Sequence, residues 1–103
     1  MNEIIEIFEQ YKGDIEQEYK YASIISTNTI RDFWGEDHKV KCQIRVMKKD
    51  NGEYLISYDE FTYSILGGGA RGGTLKEVEE TLKFLLDRYH FEKKDKEQTR
   101  LFE

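Results

Sequence analysis

Residues 39–58 read KVKCQIRVMKKDNGEYLISY, and this stretch decides the fold. Its first half alternates polar residues with four apolar ones: Val40, Cys42, Ile44 and Val46. Because successive side chains of a strand point to opposite faces, the alternation predicts a strand with one buried face and one exposed face. The exposed face would carry three cations: Lys39, Lys41 and Arg45.

The segment 50–52, Asp-Asn-Gly, predicts the turn of a β-hairpin. A two-residue loop would place Val46 opposite Ser57. A three-residue loop that ends on Gly52 would place Val46 opposite Ile56, and the two apolar side chains would then share one face. We therefore predict the three-residue loop.

The sequence after Tyr58 changes the parity of its apolar positions. The next apolar alternation falls on Phe61, Tyr63 and Ile65. A change of parity requires an interruption, so the sequence predicts a tight turn at Asp59-Glu60 into a third strand, with a β-bulge as the alternative.

Residues 2–22 predict an amphipathic N-terminal helix with Asn2 as its N-cap. Its apolar residues have a heptad-like spacing: Ile5, Phe8, Ile15, Tyr19 and Ala22. Gly13 lies inside this pattern and predicts a kink or a break into two helices. Residues 23–34 contain β-branched side chains without clean alternation, which indicates a loop or a short strand.

A second helix is predicted to begin at Thr74, because Glu77 completes a capping box with it. Its apolar stripe would pack on the sheet as far as His90, and consists of Leu75, Val78, Leu82, Leu85, Leu86 and Tyr89. The preceding segment, Gly67–Gly73, has five glycines in seven residues. Three interpretations remain open: a plain connector, a flexible finger that carries Arg71, or a phosphate-binding loop, although Thr74 stands where such a loop needs Lys.

These elements predict one α+β domain over residues 1–91. It would consist of an N-terminal helix, an antiparallel meander of two or three strands, the glycine-rich loop and a C-terminal helix. Both helices would lie on one face of the sheet, which leaves the other face exposed. Residues 92–103 are predicted to be a charged tail or a frayed helix.

The composition argues against an enzyme, a cofactor and a structural metal. The single cysteine, Cys42, cannot form an internal disulfide, and with only two histidines it cannot supply a tetrahedral zinc site. No apolar run approaches the roughly 20 residues of a membrane span, and the N-terminal residues lack the pattern of a secretory signal, so we expect a cytoplasmic protein. Five polar residues could suggest a metal-dependent nuclease, but they fall on predicted turns: Glu36, Asp37, His38, Asp59 and Glu60.

The charge distribution indicates where a partner would bind. The net charge is −5, and residues 1–23 carry six acids against two cations. Residues 51–66 carry three acids and no cation, next to three tyrosines: Tyr54, Tyr58 and Tyr63. An acidic surface with aromatic side chains suits a basic groove of the kind that nucleic-acid enzymes have.

The order of a helix, three strands and a helix entered through a glycine loop resembles the double-stranded-RNA-binding domain over residues 1–90. In that family the second helix opens with lysines that contact phosphates. Here residues 74–80 read TLKEVEE, with one Lys and three acids. The resemblance therefore concerns the topology and not the RNA-binding motif.

In size, acidity and arrangement of elements, the chain also resembles the small inhibitors that phages and mobile elements direct at host nucleases, among them the anti-CRISPR proteins. This resemblance implies stoichiometric binding to a basic nucleic-acid enzyme, such as a CRISPR nuclease, by mimicry of DNA, without direct binding of nucleic acid or membrane. The expected contact residues are Tyr58, Asp59, Glu60, Tyr63, Gly69, Arg71, Glu6 and Glu9.

An alternative hypothesis is a nucleic-acid-binding module. It would use the cations on the exposed face of the strand: Lys39, Lys41 and Arg45. The two hypotheses predict opposite results with nucleic acid alone, because a module of this kind binds it with steep salt dependence and a mimic does not bind it.

Overall fold

The computed structural model describes residues 1–61, 65–66 and 70–94. It has an α+β fold, which confirms the predicted class: along the chain, an N-terminal helix is followed by an antiparallel sheet and a C-terminal helix. The helices are α1 (Asn2–Phe8) and α2 (Leu75–Arg88). The strands are β1 (Asp14–Glu18), β2 (Tyr21–Arg31), β3 (Asp37–Lys48), β4 (Tyr54–Phe61), β5 (Ile65–Leu66) and β6 (Ala70–Gly73). Neither helix is long and apolar enough to cross a bilayer.

The sheet has more strands than the sequence predicts. Its order is β1-β2-β3-β4, and both β5 and β6 pair with β4. The prediction of two or three strands was wrong, and so was the topology that resembled the double-stranded-RNA-binding domain. Residues 70–73, predicted as part of a glycine loop, form β6 by pairing with Tyr54–Ser57, although glycine weakens a strand.

The β3–β4 hairpin has the predicted register. Val46 pairs with Ile56 and Ile44 pairs with Tyr58, and the amide of Lys49 donates to the carbonyl of Glu53 at 2.7 Å. Gly52 has φ +89°, the left-handed conformation that the three-residue loop requires. The predicted turn at residues 59–60 is wrong, because β4 continues in register through both of them to Phe61.

The core lies between the inner face of the sheet and the two helices. The most buried side chains of β3 are Val40, Cys42, Ile44 and Val46, as the alternation predicts. Helix α1 contributes Ile4, Ile7 and Phe8, and α2 contributes Val78, Leu82 and Leu86. The capping box of Thr74 and Glu77 is present at the start of α2, as predicted.

The N-terminal helix is shorter than predicted. It ends at Phe8 and not near Ala22, its N-cap is Met1 without a side-chain bond, and β1 follows it. Residues 21–31, expected in part to form a loop or a short strand, form the long strand β2. After α2, the amides of Lys12 and Lys94 bond to the carbonyls of Glu92 and Gln10, so the start of the predicted tail pairs with the chain between α1 and β1.

Gly13 marks the change from helix to strand. Its φ is +149°, and a Cβ at this position would lie 2.8 Å from the carbonyl oxygen of Ile25. Any side chain would therefore collide with the backbone of β2 and also strain the backbone of residue 13. The glycine lets β1 approach β2 closely enough to pair.

We expect Gly13→Ala to lower the free energy of unfolding by roughly 1–3 kcal/mol, because it combines a backbone clash with an unfavourable φ. Urea denaturation followed by circular dichroism measures this change. Gly72→Ala is the matched control, because a Cβ there would lie 3.4 Å from the carbonyl oxygen of Tyr54, an ordinary contact. Equal stability of both variants would contradict this role of Gly13.

Candidate functional site

The structure places Asp59 and Glu60 on opposite faces of the sheet. Asp59 pairs with Gln43 and faces away from the helices, whereas Glu60 pairs with Cys42 and faces the core. The sequence interpretation joined them in one acidic corner because it assumed a turn at this point. Since β4 is continuous, the two carboxylates do not share a surface.

Tyr58 lies in the core, with 7% of its surface exposed. Its hydroxyl donates to Oε1 of Glu60 at 2.8 Å and lies 3.4 Å from Sγ of Cys42. Its ring stacks on that of Tyr89, with the centroids 3.8 Å apart. Burial, together with these two hydrogen bonds, raises the pKa of Tyr58 well above its ordinary value. The structure therefore supports a packing role for this ring.

We expect Tyr58→Phe to lower the free energy of unfolding by about 0.5–1.5 kcal/mol, because it removes a buried hydroxyl and leaves Glu60 without this donor. Thermal and urea denaturation measure the change. Tyr19→Phe is the control, since 88% of Tyr19 is exposed. Its hydroxyl contacts water in the folded and in the unfolded protein, so its removal should change the stability little. If Tyr58→Phe were as stable as the unchanged protein, the hydrogen bonds of Tyr58 would contribute nothing to the fold.

The cations of β3 stand on the face of the sheet opposite the helices, as predicted. Arg45 forms an ion pair with Asp59 of β4 on this face. The Nζ of Lys39 donates to the hydroxyl of Thr29 at 3.0 Å, and Lys41 is exposed. The positive charge of this stripe is thus partly neutralised within the sheet.

The other predicted contact residues are dispersed. Arg71, on β6, is exposed and lines a cavity of about 300 Å³ beside the first turns of α2. Glu6 and Glu9 are exposed on α1. Tyr63 and Gly69 lie outside the described residues. The predicted residues that the structure describes therefore do not form one continuous patch.

A different set of exposed acids lies on α1, which packs on the inner face of the sheet, and on β1, whose acids point to the open face. We name it the acidic edge, and it consists of Glu3, Glu6, Glu9, Asp14, Glu16 and Glu18. All six side chains are exposed. Residues 1–18 contain these six acids and the single cation Lys12, whereas the remaining chain contains 15 acids and 15 cations. The net charge of the chain is therefore located on this edge.

The β2–β3 hairpin ends in a second exposed feature. We name residues 32–36, between β2 and β3, the hairpin tip. Phe33 is 94% exposed and Trp34 is 82% exposed, and their rings meet edge to face with centroids 5.6 Å apart. This feature was not predicted from the sequence, because residues 23–34 had no definite element assigned to them. The available signal was an adjacent Phe-Trp-Gly between two segments of strand character.

Asp32 organises the hairpin tip. Its Oδ1 accepts hydrogen bonds from the amides of Trp34 and Glu36, both at 2.8 Å. Its Oδ2 lies 2.6 Å from Nε2 of His38. The bond from the Glu36 amide, followed by that from His38, lowers the pKa of Asp32 below its ordinary value. The loop that presents the two rings is therefore closed by one carboxylate.

Asp32, Glu36 and His38 also bring potential metal ligands together, with ligand atoms within 4.8 Å of one another. Both carboxylate oxygens of Asp32 already accept hydrogen bonds that close the loop. This observation favours a loop-closing role for the cluster over a metal site.

We expect Asp32→Ala to accelerate hydrogen exchange at the amides of Trp34 and Glu36, because both lose their acceptor. NMR at neutral pH measures the two rates, and Asp37→Ala is the control, since its contact is with Arg31 at 3.1 Å and not with these amides. In the unchanged protein the hydrogen bonds lower the pKa of Asp32. The stabilisation of the tip by the ionised carboxylate is therefore present above pH 3.8, and it is lost as the pH falls through the lower pKa of Asp32 in the folded protein. Unchanged exchange in Asp32→Ala would exclude this role.

Comparison of the chain with protein-family models, curated proteins and solved structures gave no match. Similarity therefore supplies neither a family nor a function. The function must therefore be inferred from the chemistry of two exposed features, the acidic edge and the hairpin tip.

Proposed function

We propose that the protein is a non-catalytic, protein-binding module that inhibits a basic nucleic-acid enzyme, such as a CRISPR nuclease, by occupying its nucleic-acid channel. It would act stoichiometrically in the cytoplasm, as DNA-mimicking inhibitors of phages and mobile elements do. The single observation that carries this proposal is the concentration of the net charge of −5 on the acidic edge.

The acidic edge has a regular geometry that suits mimicry of a phosphate backbone. Asp14, Glu16 and Glu18 alternate along β1, so their side chains lie on one face of the sheet, about 6.7 Å apart along the strand. This spacing is similar to that of successive phosphates along a nucleic-acid strand. Pairing with β2 fixes the backbone of β1, so only the three side chains must become ordered when they bind.

The local field of the acidic edge also determines the class of partner. Six acids against one cation attract a positively charged channel and repel phosphates. Complementary charge of this kind raises the rate of association and disfavours partners of the same sign. A cationic channel of a nucleic-acid enzyme meets both requirements.

The clusters of polar side chains in the described residues have structural roles, which supports binding more than catalysis. Tyr58 and Glu60 act in the packing of the core, and Asp32 and His38 close the hairpin tip. These contacts account for the arrangement of the four side chains without a substrate. Cys42 is buried, and its pKa is raised by that burial, so its thiol is protonated at neutral pH.

The alternative function is a nucleic-acid-binding module, and one observation supports it: Lys39, Lys41 and Arg45 share the open face of β3. Two further observations weigh against it. Arg45 is paired with Asp59, and the carboxylates of β1 stand on the same face two strands away. The open face therefore has both signs of charge, which is unfavourable for a phosphate backbone.

A competition assay tests the proposal. Labelled DNA is bound to a guide-loaded RNA-guided nuclease or to a basic endonuclease, and fluorescence anisotropy follows its release as this protein is added. We expect release by the unchanged protein, and roughly 10-fold weaker release by the triple variant Asp14→Asn, Glu16→Gln, Glu18→Gln, because it removes half of the acidic edge. Gel shifts of DNA and RNA with this protein alone complete the experiment.

The matched control neutralises three exposed acids outside the acidic edge: Glu53→Gln, Glu80→Gln and Asp87→Asn. Both triple variants have the same net charge, so a loss confined to the β1 variant identifies the acidic edge and not the total charge. Equal weakening by both variants would contradict the proposed surface. A salt-sensitive shift of nucleic acid by this protein alone would instead support the alternative module.

A further inference from the structure

The hairpin tip projects from the rest of the sheet. Among the residues that the structure describes, β1 pairs with β2 as far as Ile25 and β4 pairs with β3 as far as Lys41. Beyond these points, residues 28–31 pair only with residues 37–40 among the described strands. These four residue pairs form a two-stranded ribbon about 13 Å long, with Phe33 and Trp34 at its end.

The base of this ribbon is fixed to the core. Asn28 is buried, and its side-chain amide donates to the carbonyl oxygen of Tyr89 at 2.9 Å. Val40, the partner of Asn28, is 4% exposed. The ribbon therefore presents its tip in a defined direction, and Asp32 fixes the conformation of the tip itself.

Contact of both rings with water has an unfavourable free energy in the free protein. Burial of the rings by a partner would remove this cost. Large aromatic side chains concentrate at the energetic centres of protein interfaces, and apolar groups that remain in water gain most when they enter a pocket. Since Asp32 already holds the tip in place, little conformational freedom is lost when the rings become buried. The tip thus has the properties of an anchor for a pocket.

The charges around the rings indicate what kind of pocket it is. Asp32, Glu36 and Asp37 lie beside the rings: Asp32 is bonded within the tip, Asp37 is paired with Arg31 at 3.1 Å, and Glu36 is exposed. Exposed aromatic rings beside a free carboxylate share two properties with unstacked bases of a nucleic acid: a flat stacking face and a neighbouring negative charge. Grooves that bind single strands combine cations with aromatic platforms for stacking, and they complement such a tip.

We propose that Phe33 and Trp34 insert into a base-stacking, cation-lined groove of the enzyme to which the acidic edge binds. This inference rests on the proposed function and adds the residues that stand in for bases. From the sequence, that role was expected of Tyr58, which is buried, whereas Phe33 and Trp34 are exposed together on one loop. The acids of the tip disfavour insertion into an anionic membrane, which the experiment includes as an opposing outcome.

The test uses labelled single-stranded DNA bound to two probes: a single-stranded-DNA-binding protein of the OB-fold type and a guide-loaded RNA-guided nuclease. We expect the unchanged protein to release the DNA from at least one probe. The variants Trp34→Ala and Phe33→Ala/Trp34→Ala should require roughly 10- to 30-fold higher concentrations for the same release, as removal of a central aromatic contact does. Tyr19→Ala is the control, because Tyr19 is similarly exposed but precedes β2, at the end of that strand opposite the tip.

A direct readout accompanies the competition. Trp34 is the only tryptophan, so incorporation of 5-fluorotryptophan gives one fluorine NMR signal that reports on the tip. We expect this signal to shift with the probe from which DNA is released, and to remain unchanged with vesicles of phosphatidylcholine or phosphatidylserine. Circular dichroism tests whether the variants are folded. We expect that they are, because the replaced side chains are exposed.

The outcomes separate this inference from the proposed function. If the unchanged protein releases no DNA from either probe, the proposed function fails and this inference fails with it. If it releases DNA and the tip variants release it equally well, the inference alone is overturned. A fluorine shift with vesicles and none with the probes would show that the tip binds lipid, which also overturns it.

Discussion

The difference between the two faces of β3 determines where the other side chains of the sheet point. Val40, Cys42, Ile44 and Val46 are buried on one face, so an antiparallel neighbour must place its own apolar residues on that face. On β4 this requirement buries Ile56 and Tyr58 and turns Asp59 to the open face, where it meets Arg45. The same rule on β2 buries Ala22 and Ile24. A shift of one residue would reverse every assignment, so the register also decides which charges a partner can reach.

The sequence sufficed for those elements whose signals are local. The alternation of β3, the loop at Gly52 and the capping box of Thr74 and Glu77 each arise from residues close together in the chain, and the structure confirms all three. The sequence was misleading where a distant contact decides. Residues 14–18 fit the apolar spacing of a helix but form a strand. The role of Gly13 depends on β2, whose backbone lies 2.8 Å from the position that a Cβ of residue 13 would occupy. Strand β2 was obscured because its inner face contains Asn28, a buried polar residue bonded to Tyr89.

The candidate site was predictable in its charge but not in its residues. The excess of acid near the N-terminus follows from counting, and the structure spreads it over α1 and β1. The tyrosine contribution was not predictable, because the burial of Tyr58 depends on stacking with Tyr89 across 31 positions of sequence and on the continuity of β4. Composition cannot distinguish aromatic rings that fill a core from rings that face solvent. Phe33 and Trp34 are accessible because they lie in the loop at the end of the β2–β3 ribbon.

The two exposed features would contribute differently to one complex. Charges such as those of the acidic edge act over a Debye length of about 8 Å at physiological ionic strength, so they mainly raise the rate of association and lose strength with added salt. Aromatic rings act only at contact and mainly lower the rate of dissociation, which salt affects little. A ribbon that carries the rings beyond the described ends of β1 and β4 would let them enter a narrow groove while the rest of the sheet remains outside. Under the proposed function, the acidic edge would select a cationic partner, and the depth of the groove would decide which cationic partners the hairpin tip retains.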